Sequence, residues 1–151
     1  MYPDSLGDRL AEYVDAGGGQ VLVQGAFVDF IPFGGKILDP GYSPFNKVAG
    51  AGIWTERSVD FGSLDLPLHV IFNGTDVNNL TYPGDGAFGN PDLDATATLI
   101  ALENNGHNCI AVNANQRIIA LNMWPASISN TNALEALQLL ANCCMFVAGA
   151  I

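Results

Sequence analysis

Two histidines have the side chains best suited to acid–base chemistry in this sequence. His69 follows Asp65 by four residues, and His107 lies in a short polar segment between two apolar runs. A carboxylate beside an imidazole orients the ring and favours its protonated form, which suits a general base. Ser43 or a bound metal would then supply the nucleophile of a small hydrolase. The simpler interpretation gives both histidines structural roles, His69 in a loop at the edge of a sheet and His107 in an exposed turn.

A glycine-rich loop contains several oxygen-bearing side chains that could bind a metal. Hard oxygen ligands at such close spacing suit calcium. The segment that starts at Asp92 has no glycine at its sixth position, so it is not an EF-hand. Acidic loops of acidic proteins are usually solvated, and we therefore expect no cofactor, with calcium as the alternative. The candidate ligands are Asp85, Asn90, Asp92 and Asp94.

The cysteines do not form a recognisable metal or disulfide pattern. Cys109, Cys143 and Cys144 are odd in number, and two of them are adjacent in a predicted helix. No Cys/His spacing suits zinc, and an odd count does not build a disulfide framework. We expect these cysteines to be buried and to act as small apolar side chains.

A long segment, residues 28–67, is rich in glycine and proline and has little hydrophobic periodicity. Connections of this length are usually functional or interfacial. Six aromatic residues fall in or beside it, and they suit either a binding surface, as a ligand groove or protein interface, or a satellite core over the sheet edge. Both interpretations stay open. The six are Phe27, Phe30, Phe33, Tyr42, Phe45 and Trp54.

The acidic composition limits the partners of the chain. Its 151 residues predict a single domain and include 15 acidic against 5 basic side chains, for a net charge of −10. Such a surface repels polyanions, which argues against nucleic acid and anionic membranes as partners. No run of about 18 apolar residues occurs, so we expect no membrane span. An exported or cell-surface location is favoured if the chain is a fragment of a longer protein, and a cytoplasmic one otherwise.

Local patterns predict the elements that must position these residues. A first helix is capped by Asp4 or Ser5 and stops at Gly17, and a closing helix runs over about 132–147. Three strands, joined by turns rich in Asn and Gly, are predicted at 98–102, 108–112 and 117–123. The residues predicted to face the core are Leu6, Leu10, Tyr13 and Val14 on the first helix and Leu134, Leu137, Leu140, Ala141 and Cys144 on the closing helix.

The first strand carries the clearest information on fold class. Residues 20–27 form an almost uncharged apolar run, which is typical of a strand buried on both faces of a parallel sheet. The site of an α/β domain normally lies at the carboxyl end of such strands. Residues 24–28 contain no Cys, Ser or His there. The order of elements thus predicts an α/β fold, partly parallel with an antiparallel extension, and no nucleophile at the usual place.

Three blocks of the sequence together resemble the class I glutamine amidotransferase-like superfamily, including its ThuA-like branch. They are the helix, three glycines and strand of residues 6–27, the segment Leu-His-Val-Ile-Phe-Asn-Gly at 68–74, and the strand and leucine-rich helix of residues 117–125 and 137–144. The resemblance implies a three-layer, flavodoxin-like fold. It also implies a sheet that is incomplete at its amino-terminal side, so that this chain is the carboxyl-terminal portion of a longer domain or another chain completes the sheet. The catalytic cysteine of the family is absent from the turn after the first strand.

Three functions follow as hypotheses. The first is a non-catalytic amidotransferase-like module for binding or assembly, with a protein partner or a homo-oligomer expected because an unpaired sheet edge promotes association. The second is a small hydrolase that uses His69 or His107 as base, although no Gly-x-Ser-x-Gly motif is present. The third is a calcium-binding surface domain. We favour the first.

Overall fold

A computed structural model of the chain describes residues 3–23, 34–46, 59–64, 66, 68–77, 81–82, 90–123 and 133–151. Two α-helices frame the described chain, α1 (Pro3–Asp15) and α2 (Ala133–Val147), and two short 3₁₀ helices cover Gly35–Leu38 and Val70–Phe72. The strands are β1 (Gln20–Val23), β2 (Phe45–Asn46), β3 (Val59–Leu64), β4 (Thr81–Tyr82), β5 (Asp92–Leu93), β6 (Thr98–Glu103), β7 (Asn108–Val112) and β8 (Ile118–Leu121).

The main sheet is mixed, with strand order β1-β8-β7-β6-β3-β4. β1 runs parallel to β8, and the other neighbouring pairs are antiparallel. A separate antiparallel pair joins β2 and β5. The prediction of an α/β fold with a partly parallel sheet and an antiparallel extension is confirmed. The first strand, however, lies at one end of this strand order and not between parallel neighbours.

The two α-helices pack on opposite faces of the sheet. Ile118 and Ala120 of β8 pack in one core cluster with Ala11 and Val14 of α1. The alternate residues of the same strand belong to a second cluster, together with the buried residues of α2. Successive side chains of a strand point to opposite faces, so β8 separates the two cores. The alternate residues are Ile119 and Leu121, and the α2 residues are Ala136, Leu139, Cys143 and Val147.

Turn chemistry explains why the predictions of β6, β7, β8 and the end of α1 are confirmed. The predicted cap of α1 is wrong, because the helix begins at Pro3 and so contains Asp4 and Ser5. Gly17 takes a φ of 92° just after α1, and its N–H donates to the Val14 carbonyl, which ends the helix. Asn113 organises the β7–β8 turn. Its Oδ1 accepts the N–H groups of Arg117 and Ile118 at 3.0 and 2.9 Å, which orders a turn of only a few residues.

Long-range pairing explains an element that the sequence prediction missed. The segment 28–67, expected to be a long connection with little periodicity, contributes β3 to the main sheet. β3 is held by its antiparallel pairing with β6, where Leu64 lies opposite Ala101. That partner is more than thirty residues away in sequence, so no local pattern indicates it.

The inward faces of both helices differ from the prediction. Tyr13 is 56% exposed, and Ala11 takes the buried position of α1 instead. On α2, the predicted core residues Leu134, Leu137, Ala141 and Cys144 are exposed and Leu140 is half-buried. The physical reason is that α2 contains only three polar residues among fifteen, Glu135, Gln138 and Asn142, so its periodicity does not distinguish the face that packs on the sheet.

Candidate functional site

His69 begins the second 3₁₀ helix and lies against α2. Its Nδ1 accepts the Ile71 N–H at 3.4 Å, and its ring packs edge-on against Phe146 with centroids 4.9 Å apart. Partial burial lowers the pKa of His69, because a charged imidazole loses hydration there. An Nδ1 that accepts a hydrogen bond belongs to the neutral ring. The lowered pKa and this hydrogen bond both favour the neutral ring, and the contact with Phe146 ties the His69 loop to α2.

Asn142 of α2 holds the same loop through its backbone. Its Nδ2 donates to the carbonyls of Ile71 and Asn73 at 2.9 and 2.8 Å, and its Oδ1 accepts from Gln138 Nε2 at 2.8 Å. The residue is only 3% exposed, so both of its polar ends are satisfied within the protein. Sequence reasoning assigned no role to Asn142, although an amide within an otherwise apolar helix was the available signal.

A cavity of about 370 Å³ lies beside this loop and is lined by Leu68, His69, Val70, Phe72, Asn73 and Gly74. His69 is the only acid–base group among these lining residues. Asp65, its predicted carboxylate partner, lies outside the residues that the structure describes. Within the described part of the chain, the cavity therefore brings no second acid–base group to His69.

The other residues of the hydrolase hypothesis lie in different elements. Ser43 is buried just before β2, and its Oγ donates to the Phe45 carbonyl at 2.7 Å. His107 lies in the β6–β7 turn, with Nδ1 3.9 Å from an Oε2 of the buried Glu103. The Ser43 hydroxyl and the His69 imidazole each form a hydrogen bond with a backbone group, and these bonds do not join the two side chains. The described geometry thus assembles no nucleophile and base pair from Ser43 and His69.

The proposed calcium ligands serve as turn and strand residues where the structure describes them. Asp94 Oδ1 accepts the N–H and the hydroxyl of Thr96 at 2.9 and 2.6 Å, and Asn90 Oδ1 accepts the Asn108 N–H at 2.8 Å. Asp92 lies in β5, and Asp85 lies outside the described residues. In the described ranges, no three His, Cys, Asp or Glu side chains come together in a way that could hold a metal.

Two of the six candidate aromatics are described, and they differ in role. Phe45 is fully buried in the cluster beneath α1, together with residues of β7 and β8. Tyr42 donates its hydroxyl to Asp15 Oδ1 at 2.7 Å, and Lys36 Nζ lies 2.6 Å from Asp15 Oδ2 and 5.3 Å from the Tyr42 ring centroid. Hydrogen bonds from Lys36 and Tyr42 lower the pKa of Asp15, and the bond to Asp15 raises that of Lys36. Phe27, Phe30, Phe33 and Trp54 lie outside the described residues.

The largest feature left without a role is the solvent side of α2. Leu134 is 82% exposed and Leu137 is 54% exposed, and three small residues continue the same line. Their spacing alternates between three and four residues, which places them along one stripe of a helix. We call this stripe the α2 outer face: Leu134, Leu137, Ala141, Cys144 and Ala148.

A groove of about 480 Å³ continues the α2 outer face beyond the end of the helix. It is lined by Tyr13, Gly17, Gly18, Gly19, Val21, Cys144, Val147 and Ala148. The Tyr13 ring covers Gly18, where an added Cβ would collide with it, and Gly19 lies under the Val147 carbonyl in the same way. Close packing of these glycines therefore brings the ends of α1 and α2 and the start of β1 together.

The cysteines occupy two different environments. Cys109 and Cys143 are buried, as predicted, and burial raises the pKa of the Cys143 thiol to about 12. Cys144 is exposed on the α2 outer face, so the prediction of burial is wrong for this residue. None of the three forms a disulfide bond.

No α-helix of the described chain is long and apolar enough to cross a membrane. Comparison with protein-family models gives no match for this chain, and comparison with curated proteins gives none either.

Proposed function

We propose that this chain is a non-catalytic α/β module that acts by assembly, with copies of the chain associating through the α2 outer face. The observation that carries the proposal is the exposed apolar stripe of α2. A helix that is apolar on all sides is normally buried on all sides. Here the sheet covers one side of α2, while Leu134 and Leu137 on the other side remain in solvent.

The residues that could take part in catalysis or metal binding favour the same conclusion. His69 is held against Phe146 and Ser43 donates to a backbone carbonyl, so their side chains stabilise loops. Asp94 caps its own turn through Thr96. In each case a local structural contact accounts for the position of the side chain.

The exposed leucines supply part of the energy for a concentration-dependent association. Full burial of a leucine contributes about 1.5–3 kcal/mol, so the exposed parts of Leu134 and Leu137 contribute about 2–4 kcal/mol per copy. A pair of copies doubles this gain, to about 4–8 kcal/mol, against an association cost of about 4–15 kcal/mol. Tyr13 and the groove add further apolar contact. The leucines alone leave a net gain of at most about 4 kcal/mol, which corresponds to a dissociation constant of about 1 mM, so we expect association only at high protein concentration.

Light scattering after size exclusion tests the proposal. The wild-type mass is expected to exceed the monomer mass of 15.9 kDa and to rise with concentration. The double variant Leu134→Glu/Leu137→Glu should stay at the monomer mass and keep its fold, because both side chains already face solvent. Leu68→Glu is the matched control, since Leu68 is 97% exposed but lies outside the α2 outer face. A wild-type mass of one chain at all concentrations would overturn the proposal.

We also propose that the module is amidotransferase-like with a three-layer, flavodoxin-like arrangement. Two observations support this. Asn142, within the leucine-rich helix block, donates hydrogen bonds to the 68–74 block, so two of the resembling blocks contact each other. The α1 and α2 helices lie on opposite faces of the sheet, as a three-layer arrangement requires. An experimental structure of the whole chain tests this proposal, because it shows which strands lie next to β1.

A further inference from the structure

We propose that the α2 outer face binds the same face of a second copy, with the two α2 helices antiparallel and Leu134 of one helix opposite Cys144 of the other. The inference rests on the proposed function, because it names the surface that meets the α2 outer face. The alternative is that this face binds a different surface of the next copy. Such a contact builds rings or open chains of copies and not a two-fold dimer.

Charge is the first argument for a self-complementary contact. Each copy carries a net charge of −10, so two copies repel each other over most of their surfaces. The α2 outer face contains no acidic or basic residue, and Glu135 is the one charged residue of α2. When two such faces meet, little like charge is brought together. Contact with another surface of the same acidic protein has no such advantage.

The helix dipoles favour the antiparallel direction. Two antiparallel α2 helices have opposed dipoles, which is the favourable orientation. Glu135 does not distinguish the two directions, because it lies about 150° around the helix from the middle of the stripe.

The sizes of the side chains give the register. With Leu134 opposite Cys144, Leu137 lies opposite Ala141, and the two-fold axis repeats both pairs. Each large side chain then faces a small one, which lets the two helices stay at one distance along the stripe. A parallel pair places leucine against leucine at one end and small residues together at the other, so the helices would splay. Alternating three- and four-residue spacing is the pattern of a helix-pairing seam.

The length of the stripe predicts a weak dimer and not a tight one. Residues 134–144 span about 15 Å along the helix axis, so the contact lies at the small end of specific interfaces. Tyr13 and the groove lie where the stripe ends, at Cys144 and Ala148. The dimer is therefore expected to dissociate on dilution.

Disulfide trapping tests both the partner surface and the direction. In the variant Leu134→Cys, the new thiol should form a disulfide with the native, exposed Cys144 of the second copy under mild oxidation. Within one helix positions 134 and 144 are about 15 Å apart, beyond the Cα separation of about 7 Å that a disulfide allows. A covalent product therefore reports contact between copies. It should be lost in Leu134→Cys/Cys144→Ser and in the wild type, with the buried Cys109 and Cys143 unchanged throughout.

The possible results separate this inference from the proposed function. A covalent dimer that needs both thiols, together with a mass that saturates at two chains, supports the antiparallel pair. A wild-type disulfide through Cys144 would show a parallel pair and overturn it. A protein that associates through the α2 outer face but gives no trapped dimer, or grows beyond two chains, overturns the pairing and leaves the proposed function standing. A monomer at all concentrations overturns both.

Discussion

Replacement of Asn142 by alanine should release the His69 loop from α2 and destabilise the fold. The substitution removes three hydrogen bonds, one from the exposed Gln138 and two to the carbonyls of Ile71 and Asn73. Asn73 is exposed, so water replaces its lost partner, whereas Ile71 is fully buried. The loss at Asn73 costs about 0.5–1.5 kcal/mol and an unsatisfied buried carbonyl costs about 1–3 kcal/mol. We expect the free energy of unfolding to fall by about 2–4 kcal/mol.

Urea unfolding measures this loss directly. With a denaturant slope of about 2 kcal/mol/M, the midpoint should move down by about 1–2 M. Gln138→Ala is the matched control, because it removes the third hydrogen bond of Asn142 at an exposed position and leaves both carbonyl contacts intact. The control should lose about 0.5–1.5 kcal/mol, the cost of one hydrogen bond, and so less than Asn142→Ala.

A second measurement distinguishes the loop from a general loss of packing. The pKa of His69 is lowered by partial burial in the held loop. Once Asn142 no longer holds that loop, NMR titration of the imidazole should show the pKa rising toward its ordinary value of about 6.5. A midpoint shift no larger than that of Gln138→Ala, with the His69 pKa unchanged, would refute the reasoning.

Two further predictions concern the histidine and α1. Because the pKa of His69 is lowered in the folded state, the unfolded chain binds the proton first, so stability should fall as pH drops below about 6.5. In His69→Gln, the urea midpoint should therefore change less between about pH 7.5 and 5.5 than it does in the wild type. An equal change of the midpoint with pH in both proteins would contradict this. Gly7→Ala should lower the melting temperature, at a cost of about 1–3 kcal/mol, because its Cβ would overlap the Gly34 carbonyl and the Ile37 side chain. Ser5→Ala, at an exposed position of the same helix, should be neutral, and a stabilising Gly7→Ala would show that the close contact is absent.

Elements with local causes could be predicted from the sequence. The end of α1 follows from Gly17, whose positive φ any other residue resists. The turn between β7 and β8 follows from Asn113, which bonds to backbone groups only a few residues away. In each case the decisive interaction lies within about five residues, so a short window of sequence contains the whole argument.

Elements that depend on distant parts of the chain could not be predicted from the sequence. β3 forms because it pairs with β6. The position of β1 at one end of the strand order depends on how all the other strands pair. The role of Asn142 depends on a loop about seventy residues earlier in the chain. Hydrogen bonds between such distant segments leave no periodic signal in either segment.

The sequence by itself determined that this is an acidic α/β chain with no nucleophile after its first strand, with a first helix that ends at Gly17 and with three strands joined by asparagine turns. Only the tertiary structure decided which side of α2 is buried. Both sides of that helix are apolar, so composition and period fit either choice, and packing against the sheet selects Leu139 and Cys143 for the core. The same choice leaves Leu134 and Leu137 in solvent, and the proposed assembly follows from it.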